Sequence, residues 1–335
     1  MRNFNSHLYE YETFCLTKPS LSYDGEEEFS VWQKRARNKL CELLGLPLDR
    51  CDTELKIEYK KENPDCTEYR FSVQTEPSYY LPCHLLVPHG KEGKIPLTIC
   101  LSGHGGGMHI ALGVAKTEED RCDLAEWPHR AMGPRSVKEG RAALVIEARN
   151  FGETSINGYG TSCTEAAKIA ILTGRTVIGE RVNDAMRVLD AVLESFAFLD
   201  KDNIVCTGNS GGGTATLYLA AVDERIAVAA PSCSVCDFEG SIAAMPHCMC
   251  NFVPSVRKYF ELSDLGGLIA PRKLVVAAGR LDTGFPIEPT EKSFKNIERL
   301  YGSAGAAENC ALVIGEGGHY NYADLLWQKI HEMGV

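Results

Sequence analysis

The run Gly208-Asn-Ser-Gly-Gly212 lies between an apolar stretch, residues 203–207, and a helical one, residues 214–222. A strand that turns into a helix within so few residues brings two backbones close together. Glycines at the flanking positions remove the side chains that would collide there. The middle residue, Ser210, is thereby held on a strained and accessible turn. A Gly-x-Ser-x-Gly sequence in this strand, turn and helix setting marks a nucleophilic serine.

A serine hydroxyl at its ordinary pKa is a weak nucleophile, so Ser210 needs a histidine base and an acid to orient that base. Later strands supply both. Lys273 to Gly279 reads as a short buried strand leading into Arg280-Leu-Asp282, and Cys310 to Gly315 as another leading into Glu316-Gly-Gly-His319. Asp282 and His319 thus each fall just past a strand end, in the chain order nucleophile, acid, base. Among the nine histidines His247 is the rival base, because it lies in an irregular Cys- and Met-containing stretch. Asp237 and Glu239 are the rival acids, since they follow the strand-like run 226–230. The position just after a strand favours His319 and Asp282.

Acyl transfer also needs N–H donors for the developing oxyanion. Ser102-Gly-His-Gly-Gly-Gly107 follows the strand-like run 96–101, and its glycines leave amides open to a ligand. One donor is expected to be Gly211 and the other His104 or Gly105. A dinucleotide-binding loop is excluded by spacing, because Met108 stands where the third glycine is required.

A chain of 335 residues with a net charge of −10 argues against nucleic acid and against an anionic membrane surface. No apolar run approaches the roughly 20 residues that span a bilayer. The first residues, Met1-Arg-Asn-Phe-Asn-Ser-His7, lack the pattern of a signal peptide, so the expected location is cytoplasmic. Fourteen cysteines suit a reducing compartment, and Cys100, Cys206 and Cys310 read as small buried thiols in strands. Cys233-Ser-Val-Cys236 and His247-Cys248-Met-Cys250 show no zinc-finger spacing. No metal or cofactor is expected. The expected partner is a small ester substrate, without nucleic acid or membrane, and a homo-oligomer is compatible with the composition.

Read along its length, the chain opens with a polar tail and an amphipathic helix over 26–44, which Gly45-Leu-Pro47 stops. Three strands, 54–59, 67–74 and 79–87, are expected to pair antiparallel. From Ile95 onward strands at 97–101, 143–147, 204–207, 226–230, 274–278 and 311–314 alternate with helices. Such alternation describes an α/β fold with a mostly parallel central sheet covered by helices on both faces. The expected organisation is one domain over 1–335, with an N-terminal helical extension (1–50) and a small cap segment (241–265).

The stretches Gly160-Thr-Ser-Cys-Thr-Glu-Ala-Ala, Thr173-Gly-Arg-Thr-Val-Ile-Gly-Glu-Arg-Val-Asn-Asp-Ala-Met-Arg, Cys206-Thr-Gly-Asn-Ser-Gly-Gly-Gly-Thr and Ile269-Ala-Pro-Arg-Lys-Leu resemble the α/β-hydrolases grouped with acetyl xylan esterases and dienelactone-hydrolase-like proteins. The likeness runs from about Tyr80 to His319. It implies a serine esterase with Ser210, Asp282 and His319 as its triad and the loop around His104 at the oxyanion. Two positions depart from the family pattern, Glu147 in place of an aspartate and Asn150 in place of a glycine. Serine at position 210 also differs from the cysteine of true dienelactone hydrolases.

The resulting expectation is a carboxylic-ester hydrolase that works through an acyl-enzyme and removes short acyl groups such as acetyl from a sugar or other small alcohol. Alternatives are a prolyl-oligopeptidase-like peptidase, a non-catalytic binding protein on a hydrolase fold, and a zinc hydrolase. The residues before the core are too few for the propeller of the first. Trp127, Phe151, His247, Phe252 and Tyr320 are the expected pocket neighbours, with the segment 241–265 bordering the pocket.

Overall fold

The computed structural model describes residues 4–335. Alternating apolar runs become nine strands: β1 (Lys56–Glu62), β2 (Cys66–Glu76), β3 (Tyr79–Pro88), β4 (Ile95–Leu101), β5 (Ala142–Ile146), β6 (Leu199–Asn209), β7 (Val228–Ser232), β8 (Lys273–Gly279) and β9 (Cys310–Gly315). They join in one sheet of order β1-β2-β3-β5-β4-β6-β7-β8-β9. The first three pair antiparallel, β3 joins β5 antiparallel, and β5 through β9 run parallel. Strand order reverses beside β4, whose neighbours are β5 on one side and β6 on the other. A crevice opens at such a switch point, outside the carboxyl ends of the strands.

The helices are α1 (Ser6–Leu16), α2 (Phe29–Leu44), α3 (Met108–Ala111), α4 (Glu118–Glu126), α5 (Met132–Lys138), α6 (Cys163–Leu172), α7 (Val177–Ser195), α8 (Gly211–Val222), α9 (Leu262–Ile269), α10 (Ile287–Ser303) and α11 (Ala323–Glu332). Both sheet faces are covered, as period-two alternation in β8 shows. Leu274 and Val276 join a core with residues of α2, α7, α8, α9 and α10. Val275 and Ala277 pack on the opposite face against Leu326, Trp327 and Ile330 of α11. Both kinds of side chain are withdrawn from water, which is why these parallel strands read as continuous apolar runs.

Helix α2 begins at Phe29 and ends where Gly45 takes a left-handed φ of 78°, a conformation glycine adopts without penalty. The expected polar tail instead contains α1, which buries none of its residues and so left no apolar stripe to read. The segment 241–265 is irregular only as far as Glu261. Its turns and two short 3₁₀ stretches, 249–251 and 256–258, give way to α9. There the Glu261 carboxylate caps the Leu262 N–H at 3.0 Å. No helix among the described residues is long and apolar enough to cross a membrane.

Candidate active site

Strand β6 ends and α8 begins at Ser210, whose φ of 56° and ψ of −123° lie outside the usual regions for a side-chain-bearing residue. The surrounding glycines explain how this turn closes. A Cβ at Gly208 would lie 2.4 Å from the Gly212 backbone, and one at Gly212 would lie 1.9 Å from the Leu101 carbonyl. The elbow is anchored to β7, because the Ser210 N–H donates to the Ser232 carbonyl at 2.9 Å. Ser210 and His319 line the same cavity, of about 320 Å³, at the carboxyl end of the sheet.

His319 follows β9 and Asp282 follows β8, two adjacent strands in register at Gly279 and Gly315. This adjacency brings His319 Nδ1 to 2.8 Å from Asp282 Oδ2. The other carboxylate oxygen of Asp282 accepts the N–H groups of Gly284 (2.8 Å) and Phe285 (3.0 Å). Burial alone would raise the Asp282 pKa, but the His319 hydrogen bond and these two amides more than offset it and hold it below the usual value. Asp282 is buried while the His319 side chain is 37% exposed, so the acid faces inward and the imidazole faces the cavity. The rival acid Asp237 binds the Lys292 ammonium and the Gly240 N–H instead.

The loop after β4 presses on the elbow. A Cβ at Gly103 would meet the Asn209 carbonyl at 2.5 Å, and one at Gly211 would meet the His104 ring at 2.8 Å. The Arg130 guanidinium donates to the His104 carbonyl at 3.2 Å, pairs with Asp123, and lies where a side chain at Gly105 would stand. Behind the loop, the Glu147 carboxylate accepts the N–H groups of Met108 (2.9 Å) and Glu153 (3.2 Å). Burial pushes the Glu147 pKa up to about 7 against those two amides. Asn150 adopts a φ of 71°, in the left-handed region that asparagine tolerates better than most residues.

The expected pocket neighbours separate into two groups. Trp127 and Tyr320 line the Ser210 cavity and stack on each other at 4.1 Å and 24°. Phe151 does not line it; the ring is fully buried behind the loop, 5.0 Å from the His104 ring. His247 accepts or donates at Ser241 Oγ (3.1 Å) and packs its ring on Phe285, which in turn stacks on His319 at 5.9 Å. Phe252 lines a separate cavity with Phe14 and Ile242, and no residue of 241–265 borders the Ser210 cavity. The apolar character of this segment is spent on the core and on that second cavity. Residues that the sequence reading missed, Asp123, Arg130 and Asn321, do line the Ser210 cavity.

A further group lies behind His104. Cys163 at the start of α6 and Cys248 and Cys250 from the segment before α9 converge on the imidazole, all four ligand atoms within 4.8 Å of one another. Burial works against a charged His104 ring, yet the adjacent Cys163 and Cys248 sulfurs outweigh it and push the pKa up to about 9. The expectation of no metal rests on Cys233, Cys236, His247, Cys248 and Cys250 and their local spacing, and leaves out His104 and Cys163. Fold topology unites residues 146 positions apart. Cys233 is elsewhere, its Sγ 3.2 Å from the Tyr320 carbonyl.

Comparison with known proteins follows the same architecture. A model of the Abhydrolase family matches residues 15–311. The candidate hydrolase YtaP of Bacillus subtilis (strain 168) is 28% identical over 297 residues, which is 86% of this chain and 94% of that protein. A candidate acetyl xylan esterase from Bacteroides fragilis NCTC 9343 superposes with a TM-score of 0.81 at 18% identity, over 94% of this chain and 83% of that one. A glucuronoyl esterase from Solibacter usitatus gives 0.70 at 14% identity, over 95% and 96%. At those identities the structural likeness is one of fold.

Proposed function

The chain belongs to the Abhydrolase family, and on that premise we propose that it hydrolyses carboxylic esters through an acyl-enzyme formed on Ser210. The observation that carries the reading is the combination of Ser210 on a positive-φ elbow, His319 lining the same cavity, and Asp282 at 2.8 Å from the far nitrogen of that imidazole. In the first step His319 Nε2 takes the Ser210 proton as Oγ attacks the ester carbonyl. Asp282 fixes the tautomer that leaves Nε2 free and stabilises the imidazolium. The oxyanion is met by the N–H groups of Gly211 and His104 or Gly105. The imidazolium then protonates the departing alcohol, and a water activated by the same histidine releases the acid.

The substrate class is an acetyl or other short acyl ester of a sugar or small alcohol. Three features support it. The cavity is small, the stacked Trp127 and Tyr320 rings give it an aromatic lining, and the fold resembles that of a candidate acetyl xylan esterase. The test has two parts. A fluorophosphonate probe should label wild type at Ser210 and fail on Ser210→Ala. A panel of acyl chain lengths, acetylated sugars and peptides should show highest kcat/KM for acetyl to butyryl esters. Full ester hydrolysis by Ser210→Ala would remove the nucleophile, and preference for long-chain esters or peptides would remove the substrate class.

A further inference from the structure

The cysteine and histidine group behind the oxyanion loop has the geometry of a closed metal site. His104 Nε2 lies 3.4 Å from Cys250 Sγ and 4.0 Å from Cys163 Sγ, and Cys248 Sγ completes a set within 4.8 Å. Tetrahedral zinc, with bonds of about 2.3 Å to sulfur and 2.0 Å to nitrogen, places its ligand atoms about 3.5 to 3.8 Å apart. We propose that His104, Cys163, Cys248 and Cys250 bind one zinc ion that joins the loop after β4 to α6 and to the segment before α9.

An independent observation concerns charge. Arg181 is buried, and its guanidinium contacts Cys163 Sγ at 3.1 Å, the Arg149 carbonyl at 3.0 and 3.1 Å, and the face of the Phe151 ring at 4.3 Å. No carboxylate is among those contacts. A buried cation without a counter-charge is costly. Three thiols that bind zinc release three protons, and three thiolates with one Zn²⁺ and a neutral imidazole carry a net charge of −1, which Arg181 balances. The Arg181 guanidinium also hydrogen-bonds the Cys163 sulfur directly, an outer contact that would orient this ligand. Soft sulfur donors with imidazole in tetrahedral array select zinc over magnesium or calcium.

All four positions are protein side chains, so no place remains for a reactive water, and the ion is structural. Its consequence for chemistry is indirect. The His104 ring lies against Gly211, so fixing the ring fixes the distance between the loop and the residue after Ser210. The proposed ester hydrolysis does not require the metal, and either reading stands if the other fails.

The test uses the full chain purified without a histidine tag from zinc-supplemented medium. Elemental analysis should find about one zinc per chain, and exchange with Co²⁺ should give sulfur-to-cobalt charge-transfer bands with the intense visible absorption of a tetrahedral site. Cys163→Ser and Cys250→Ser should each lower bound metal at least about fivefold, while Cys122→Ser, at an exposed cysteine outside the group, should keep it. Because wild type alone gives the metal content and cobalt spectrum, a variant that does not fold leaves the test intact. Wild type with less than about 0.1 metal per chain and no cobalt spectrum overturns the proposal, as does free alkylation of all three cysteines in folded protein supplied with zinc.

Discussion

Replacing Glu147 by Gln should alter stability by an amount that depends on pH. Glu147 is 1% exposed, and its pKa is raised from 4.5 to about 7 by burial, against two N–H groups that favour the charged form. The folded state therefore prefers the protonated carboxyl. The stability this preference supplies is complete below pH 4.5 and is lost as pH rises through 7. Between pH 5 and 8 the loss is about 2–3 kcal/mol, from linkage of these two pKa values. Glutamine does not titrate. It keeps one oxygen for the Met108 or Glu153 N–H but sets its own NH₂ against the other, which costs about 1–3 kcal/mol at every pH. Urea unfolding of both proteins at the two pH values, with reductant, measures the difference. The variant should be the less stable at pH 5, and the gap should close or reverse by pH 8. A gap constant to within about 0.5 kcal/mol across this range would refute the reasoning.

Three further outcomes follow from the site. Asp282→Asn should lower kcat strongly, though less than Ser210→Ala, while Asp237→Asn, whose carboxylate serves Lys292 and Gly240, should stay within about threefold of wild type in ester hydrolysis. Trp127→Ala should shift KM among esters that differ in the alcohol, whereas Phe252→Ala should leave relative kcat/KM values unchanged, since it lines the other cavity; steady-state kinetics over an ester panel separates the two. Gly212→Ala should yield insoluble or unfolded protein, because its Cβ would lie 1.9 Å from the Leu101 carbonyl oxygen and within 2.8 Å of the Leu101 and Ser102 carbonyl carbons, backbone that has no side-chain freedom to move aside; soluble expression and circular dichroism report this directly.

The parallel sheet was legible because strands buried on both faces leave unbroken apolar runs, and the order of Ser210, Asp282 and His319 was legible because each follows such a run. What the sequence withheld was set by contacts distant along the chain. Helix α1 buries no side chain, so it carried no periodic stripe. Phe252 and Phe151 are apolar residues near the right loops, but nothing local tells a pocket wall from a core ring. The partnership of His104 with Cys163 and Cys250 depends on β4, α6 and the segment before α9 meeting at one end of the sheet, which no spacing rule contains. Glu147 was noticed only as a departure from a family pattern. Its hold on the Met108 amide shows that the longer side chain reaches the loop's first helical turn.

Two-thirds of the residues that wall the Ser210 cavity come from one continuous stretch, residues 102–132, with the chain around 209–210 and 319–321 supplying the remainder. The proposed reactive groups Ser210, Asp282 and His319 follow the ends of β6, β8 and β9, where Asn209, Tyr320 and Asn321 complete the enclosure. Most of the wall is thus inherited on a different part of the chain from the proposed triad. An exchange confined to residues 112–127, between α3 and Arg130, would change the wall at Asp123 and Trp127 while leaving in place the loop after β4 that packs on the elbow, which makes that shorter stretch the natural unit for diversification and for grafting.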